Sequence, residues 1–334
     1  MSQEGKPSRR LGWKTLLSVV ISPAVVALVV TQLDLGQLME VMSRVSPGWL
    51  GAAVVVYMLN YILRTLRFRL LIPGRSLRFW PLFSVTALYG MFLYLMPAKS
   101  GEVSLLALLK ARLGVDLSES TATLVVARFY DFLSIALFLP LVLIAFWDRL
   151  PPTISYSTLA FLGLMALVAA AYFLWLRRWS PAAPPTADGM TGGWRTRVRR
   201  WLHRVAARLA TLSHMPGQGR LLALTILIWL AIYVNFYLIA GSLGYWLEFG
   251  QVVILSLLMV PLTLLPLQGV ANLGSHEVGW VATLTLFGYS ANEALAVAVG
   301  SHVVLLTLVL LLGIAGWLVG MTCERGQRNL EGTA

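Results

Sequence analysis

The sequence predicts an all-α integral membrane protein: six crossing helices plus two re-entrant helical hairpins, arranged as an inverted repeat. Three observations predict it. Hydrophobic residues make up 58% of the 334 positions against 12% charged, where a soluble domain carries about a quarter charged residues. Apolar runs of spanning length, roughly 20 residues, recur along the chain. Two further apolar stretches are interrupted by proline, glycine and charge at matching places.

Taken in order, residues 1–12 are a basic tail. Ser8-Arg9-Arg10 resembles a twin-arginine export signal, but the run behind it is long, has no small-residue cleavage site and leads into further spans. It is read as an uncleaved first helix, 13–33. Helices 49–70 and 120–147, with the interrupted segment 79–113 between them, complete a first repeat over 13–147. A second repeat, 154–320, holds helices 154–176, 220–243 and 291–320 and the interrupted segment 250–288. Linker 177–219 lies inside it, and 321–334 is a polar tail with the lone Cys323, which excludes a disulfide framework.

The net charge of +12 does not imply nucleic acid, because the basic residues sit in loops where the positive-inside rule places them. Lys6, Arg9, Arg10 and Lys14 cluster at the start of the chain, before and at the N-terminal end of the first helix. Arg64, Arg67, Arg69, Arg75 and Arg78 end the second, and arginines crowd 177–219. These regions are expected in the cytoplasm with both termini, in an inner (cytoplasmic) membrane protein. The outside loops hold only Arg44 and Arg149, and Lys99 and Arg128 remain at membrane depth. Segment 194–209 is amphipathic, with Trp194, Val198, Trp201, Leu202, Val205 and Leu209 on one face. It is expected to lie among anionic lipid headgroups on the cytoplasmic surface.

The interrupted segments share a polar skeleton. The first reads Pro97-Ala98-Lys99-Ser100-Gly101-Glu102, an apolar helix, then Gly114-Val115-Asp116-Leu117-Ser118-Glu119. The second carries Pro266, Gly269 and Gly274-Ser275-His276-Glu277, an apolar helix, then Gly288-Tyr289-Ser290-Ala291-Asn292-Glu293. Glu119 and Glu293 each stand five residues after the glycine, and Arg128 and His302 fourteen after it. The charge count gives the two copies opposite topology, and paired interruptions in inverted halves point to a transporter's midplane site. Pro97 and Pro266 lack an amide hydrogen and end the preceding helix. Backbone left unpaired at membrane depth is tolerated only against protein or a water-filled cavity, so the turns at 97–102 and 266–277 are expected to face a cavity. Helices starting near Ser100 and Ser275 would present anion-binding N–H groups there.

Each polar residue also has a plain role. Glu102 and Glu277 could merely complement a helix dipole, yet two carboxylates at hairpin tips in a membrane are costly and favour function. Asp116-x-x-Glu119 and Ser290-x-x-Glu293 read as helix-start caps, the second a true capping box. Arg128 and Asp131 share a face and either neutralise one another or leave Arg128 to offer a forked donor to phosphate. His302 is a core residue or a proton relay. His276 beside Glu277 makes no metal site, and no cofactor is expected. Asn60 and Asn235 are interhelical hydrogen bonders.

The pattern Pro97-x-x-x-Gly101-Glu102, a helix, Gly114 and Arg128-x-x-Asp131 resembles the lysylphosphatidylglycerol synthase transmembrane-region family. Pro266, Gly269, Gly274, Glu277, Gly288 and the Ala294–Ala298 helix are similar to that family's second motif, and the resemblance covers roughly residues 13–320. There are departures: Lys99 where the family often has Arg, no Gly-Gly pair in the second motif, and His302 for a common Arg. The resemblance implies movement of lipids or lipid-linked headgroups between leaflets, with Pro97, Gly101, Glu102, Arg128, Asp131 and Glu277 on the substrate path. Lys99, Gly274 and His302 complete the candidate substrate-binding set. With no aminoacyl-transfer domain after residue 334, a complete aminoacyl-lipid synthase is not expected.

The expected function is therefore a lipid flippase or scramblase rather than an enzyme, with membrane lipids as substrate and self-association into a homo-oligomer left open. Two alternatives compete. A membrane enzyme acting on polyprenyl-phosphate sugars would need an acidic pair or metal motif in an outside loop, where 34–48 offers only Asp34 and Glu40. A non-transporting partner for envelope assembly would not require paired intramembrane glutamates.

Overall fold

The computed structural model describes residues 34–73, 75–97, 100–178, 194–264 and 269–331, and every regular element among them is helical. Five helices are long and apolar enough to cross a membrane: α2 (Pro47–Leu71), α5 (Leu117–Phe146), α6 (Pro152–Arg178), α8 (Gln218–Ser242) and α11 (Ala291–Glu331). They coincide with the expected 49–70, 120–147, 154–176, 220–243 and 291–320, except that α11 continues well past 320. The sixth expected crossing, 13–33, lies outside the described residues, as do Lys99 and Pro266. Large apolar side chains such as Val55, Leu141, Ile144 and Leu167 point outward. So much exposed apolar surface is unfavourable in water and ordinary against lipid.

The interrupted segments become pairs of short helices: α3 (Phe79–Leu95) with α4 (Gly101–Leu113), and α9 (Phe249–Leu264) with α10 (Ser275–Leu286). At 1.5 Å per residue the 17 residues of α3 reach about 26 Å, short of a hydrocarbon core of about 30 Å. The chain breaks after Met96, and the Pro97 carbonyl accepts from the Ser100 N–H at 3.1 Å and its Oγ–H at 2.7 Å. The turn thus satisfies part of its own backbone. Residues Leu82 to Gly90 of α3 are buried without interruption, so this helix is enclosed on all sides. It packs on α2, α4 and α11. A Cβ added at Gly316 of α11 would sit 2.5 Å from Ala87 Cβ, the close approach that small residues permit between membrane helices.

The axis of the molecule is the α2–α8 pair. Asn60 Nδ2 donates to the Ile228 carbonyl and Asn235 Nδ2 to the Ala53 carbonyl, both at 2.8 Å. Numbering rises from 53 to 60 on α2 as it falls from 235 to 228 on α8, so the two helices run antiparallel. Donors and acceptors are both 175 residues apart (60 to 235, and 53 to 228).

Four local expectations change. Segment 34–48 is not all loop: Asp34 accepts from the Gly36 and Gln37 N–H groups at 2.8 and 3.2 Å and caps α1 (Leu35–Ser43), which packs on α11. Linker 177–219 contains α7 (Trp194–Ser213), whose apolar residues divide. Trp201, Val205, Leu209 and Leu212 pack with Ala122 and Val126 of α5, while Trp194, Val198 and Leu202 stay exposed. Asp116 makes no cap bond to α5; it accepts instead from Ser118 Oγ at 2.6 Å, and Glu119 is buried 3.9 Å from Arg75. At α11 the capping box is half formed: Ser290 Oγ accepts from the Glu293 N–H at 3.3 Å, but the Glu293 carboxylate takes the Tyr245 hydroxyl at 3.2 Å.

Candidate functional site

A cavity of about 510 Å³ opens between the two halves. Its first wall comes from α2, where Tyr57, Asn60, Tyr61 and Arg64 recur at helical spacing on one face. Leu93 and Tyr94 of α3, Glu102 of α4, and Arg128 and Asp131 of α5 continue it; Trp229 and Asn235 of α8, Ser256 of α9, Asn272 of the turn before α10 and His276 of α10 close it.

A chain of alternating charge runs along one side. Arg67 is 2% exposed and donates to Asp131 Oδ1 at 2.5 Å. Asp131 also accepts from Trp229 Nε1 at 3.2 Å and from Arg128 Nη1 at 3.3 Å. Arg128 Nη2 then reaches Glu102 Oε1 and the Tyr89 hydroxyl, both at 2.9 Å. Two guanidinium and two carboxylate groups balance, as burial in low dielectric requires. Arg64 adds one charge beyond that balance. Its Nε donates to Asn60 Oδ1 at 2.7 Å and its guanidinium lies over the Tyr61 ring at 5.5 Å, but it forms no ion pair among the described residues. The expectation that Arg64 and Arg67 belong to a cytoplasmic basic cluster is corrected here: one lines the cavity and the other is sealed beside it.

The opposite side is built on α10 and α11. Glu277 Oε1 meets His302 Nδ1, and Glu277 Oε2 accepts from the Gly274 N–H at 2.7 Å. His302 Nε2 contacts the Ala271 carbonyl at 2.9 Å. Glu277 and His302 are buried and sit one layer behind the cavity wall, whereas Glu102 and His276 line the cavity. Glu102 and Glu277 are 175 residues apart (102 to 277); Glu102 meets Arg128 and Glu277 meets His302, the two bases that stand fourteen residues after Gly114 and Gly288.

The structure thus gathers Glu102, Arg128 and Asp131 at one surface, and Glu277, His302 and Gly274 in a second cluster. Pro97 ends α3 half-buried. Gly101 serves close packing: an added Cβ would lie 2.4 Å from the Phe92 carbonyl oxygen and 2.5 Å from Leu93 Cα. Because backbone must move, Gly101→Ala is expected to cost about 1–3 kcal/mol, read as a lowered thermal unfolding midpoint in detergent. Sequence reasoning missed Arg64, Arg67, Tyr89 and Trp229 as members of the site. The spacing of Asn60, Arg64 and Arg67, four and then three residues, was the available signal for the two arginines.

An assembly that is helical throughout its described residues, with an apolar exterior, five helices of spanning length and a charged cavity, is a multi-pass membrane protein. The chain matches the lysylphosphatidylglycerol synthase TM region over residues 15–313 and belongs to that family. No curated protein and no solved structure matches it.

Proposed function

We propose that this protein is a lipid flippase or scramblase, moving a phospholipid or lipid-linked headgroup between leaflets without an enzymatic step. The observation that carries this is the cavity itself, lined by both signs of charge with Arg64 in excess of the internal pairs. A phosphate is held by Arg64, and the cationic or hydroxyl-bearing remainder of the headgroup meets Glu102. In such surroundings each charged contact exceeds its value in water. The six-crossing inverted repeat, with α3–α4 and α9–α10 as its re-entrant hairpins, is part of the same proposal. The reciprocal Asn60 and Asn235 bonds between antiparallel helices and the shared spacing of 175 residues (60 to 235, and 102 to 277) support it. The enzyme alternative loses ground because Asp34 is occupied as the cap of α1 and Glu40 is paired with Arg44.

Purified protein in liposomes, assayed for leaflet exchange over a panel of labelled anionic and zwitterionic lipids and a polyprenyl phosphate, tests the activity. Exchange of none of them above protein-free vesicles would refute it. Sidedness has its own test. With both termini cytoplasmic in an inner membrane, a membrane-impermeant maleimide should label Cys323 only after the membrane is opened; labelling in intact spheroplasts would overturn the orientation. The outward Trp194, Val198 and Leu202 of α7, beside exposed Arg195, Arg197 and Arg199, suit the anionic headgroups of the cytoplasmic leaflet.

A further inference from the structure

We infer that the Glu277, His302 and His276 cluster binds a proton that is carried with the lipid headgroup, so that the transporter works as a proton–lipid symporter; this rests on the transport activity proposed above. The inference follows from counting hydrogens. The Ala271 carbonyl can only accept, so His302 Nε2 carries a hydrogen and donates it. Glu277 Oε2 is used as acceptor for the Gly274 N–H. Between His302 Nδ1 and Glu277 Oε1 there must then be one proton, on either atom: without it, a nitrogen lone pair would face a carboxylate in a buried site. The pair is a seat for a single exchangeable proton.

His276 connects that seat to the cavity. Ser301 Oγ donates its only hydrogen to the Ala298 carbonyl at 2.9 Å, so it accepts from His276 Nε2 at 2.9 Å. The network therefore assigns His276 its hydrogen on Nε2. Its Nδ1 is buried without a partner, on a side chain 0% exposed, and its ring lies 4.8 Å from that of His302. An unused buried acceptor in a cavity wall, next to a proton-bearing pair, is the geometry of a relay. Among the described residues, the other titratable group facing the pair is the Tyr94 phenol of α3, whose ring meets His302 edge-on at 5.9 Å. Among the described side chains of α9, Ser256 and Met259 reach the same cavity, and Arg64, Arg128, Glu102 and Asp131 stand on its far side.

Proton occupancy is tied to shape through His302. The turn it holds at Ala271 has left-handed backbone at two non-glycine residues, Ala271 at φ 55° and Asn272 at φ 62°. Such conformations persist only where their surroundings hold them, and Asn272 lines the cavity. Removing the proton leaves the carboxylate to seek another donor and loosens the ring that clamps this turn. A phosphate bound at Arg64 places negative charge in the low-dielectric space that His276 also faces, which favours protonation of the relay. Headgroup and proton therefore load together and leave together, each proton taken from one aqueous side and returned to the other.

The test uses the full chain in phosphatidylcholine vesicles carrying trace labelled phosphatidylglycerol, phosphatidylethanolamine or polyprenyl phosphate, with lumenal pyranine and the membrane potential clamped. Under an imposed pH gradient, at least one labelled lipid should accumulate in the leaflet facing the alkaline side, about tenfold per pH unit for one proton per headgroup. Lumenal pH should move in step, and nigericin should abolish the accumulation while exchange continues. His302→Gln should slow exchange of the same lipid and abolish its accumulation under the gradient; accumulation that persists in this variant would overturn the assignment of the proton to the Glu277–His302 pair. Wild-type exchange that ignores the gradient, or accumulation on the acidic side, would overturn the coupling and leave the transport activity standing. Exchange of no lipid would overturn both. The nigericin comparison needs only wild-type protein, so it decides even if His302→Gln does not fold.

Discussion

Asp131→Asn is expected to lower stability by about 3–5 kcal/mol, because it leaves the Arg67 guanidinium buried without its counter-charge. Arg67 is 2% exposed and has no other carboxylate among the described residues within ion-pair distance. Breaking such a pair costs far more than removing it whole. The double change Arg67→Met/Asp131→Asn should recover most of the loss, and the difference from the summed single effects measures the coupling. Thermal unfolding of the purified variants in one detergent reads it out. Wild-type stability for Asp131→Asn would mean that the Arg67 charge reaches water and is not sealed beside the cavity.

The second large effect falls on activity. Arg64→Gln should slow exchange of every phosphate-bearing lipid by about tenfold to a hundredfold, the value of one or two units of 1.4 kcal/mol in lost charge-assisted contact, while unfolding stays near wild type. Arg64→Lys should keep part of the rate, since an ammonium supplies the charge without the planar fork. Arg128→Gln should also weaken transport, but it strands Glu102 and one oxygen of Asp131. Its control is therefore Arg128→Gln/Glu102→Gln together. If the double variant transports at the wild-type rate, Arg128 serves only to neutralise its neighbours, and Arg64 alone holds the phosphate.

Legibility in the sequence followed the range of each signal. The spanning helices were legible because their length and apolarity are properties of single segments, and the breaks at Pro97 and Gly274 because proline and glycine act locally. The repeat register matched Glu102 with Glu277 and Arg128 with His302; that each acid meets a base, Glu102 with Arg128 and Glu277 with His302, appears only in the structure. What sequence concealed lay between helices. Charge counting treats an arginine near a helix end as a loop residue, so Arg64 and Arg67 were assigned to the cytoplasm. Their helical spacing from Asn60 marks a common face but does not say that this face meets Asp131, on a helix entered many residues later. Likewise, Asp131 has Arg128 three residues away on its own helix, yet its shortest bond is to Arg67. Asp116 and Glu119 had the spacing of a cap, and their side chains found Ser118 and Arg75 instead.

The paired asparagine bonds that join α2 to α8 have a consequence for direction. Each is the other's counterpart turned end for end, with the same donor type, the same acceptor type and the same 2.8 Å length. On the proposed transport cycle, a joint of this kind looks alike from either face of the membrane, so tilting it one way or the other is close to degenerate in energy. The frame itself then supplies no vector. Bias in the cycle must then come from where the halves differ in chemistry, among them a guanidinium beside Glu102 and an imidazole beside Glu277. On the proposed cycle the scaffold is reversible, and the arginine-to-histidine difference acts as its rectifier.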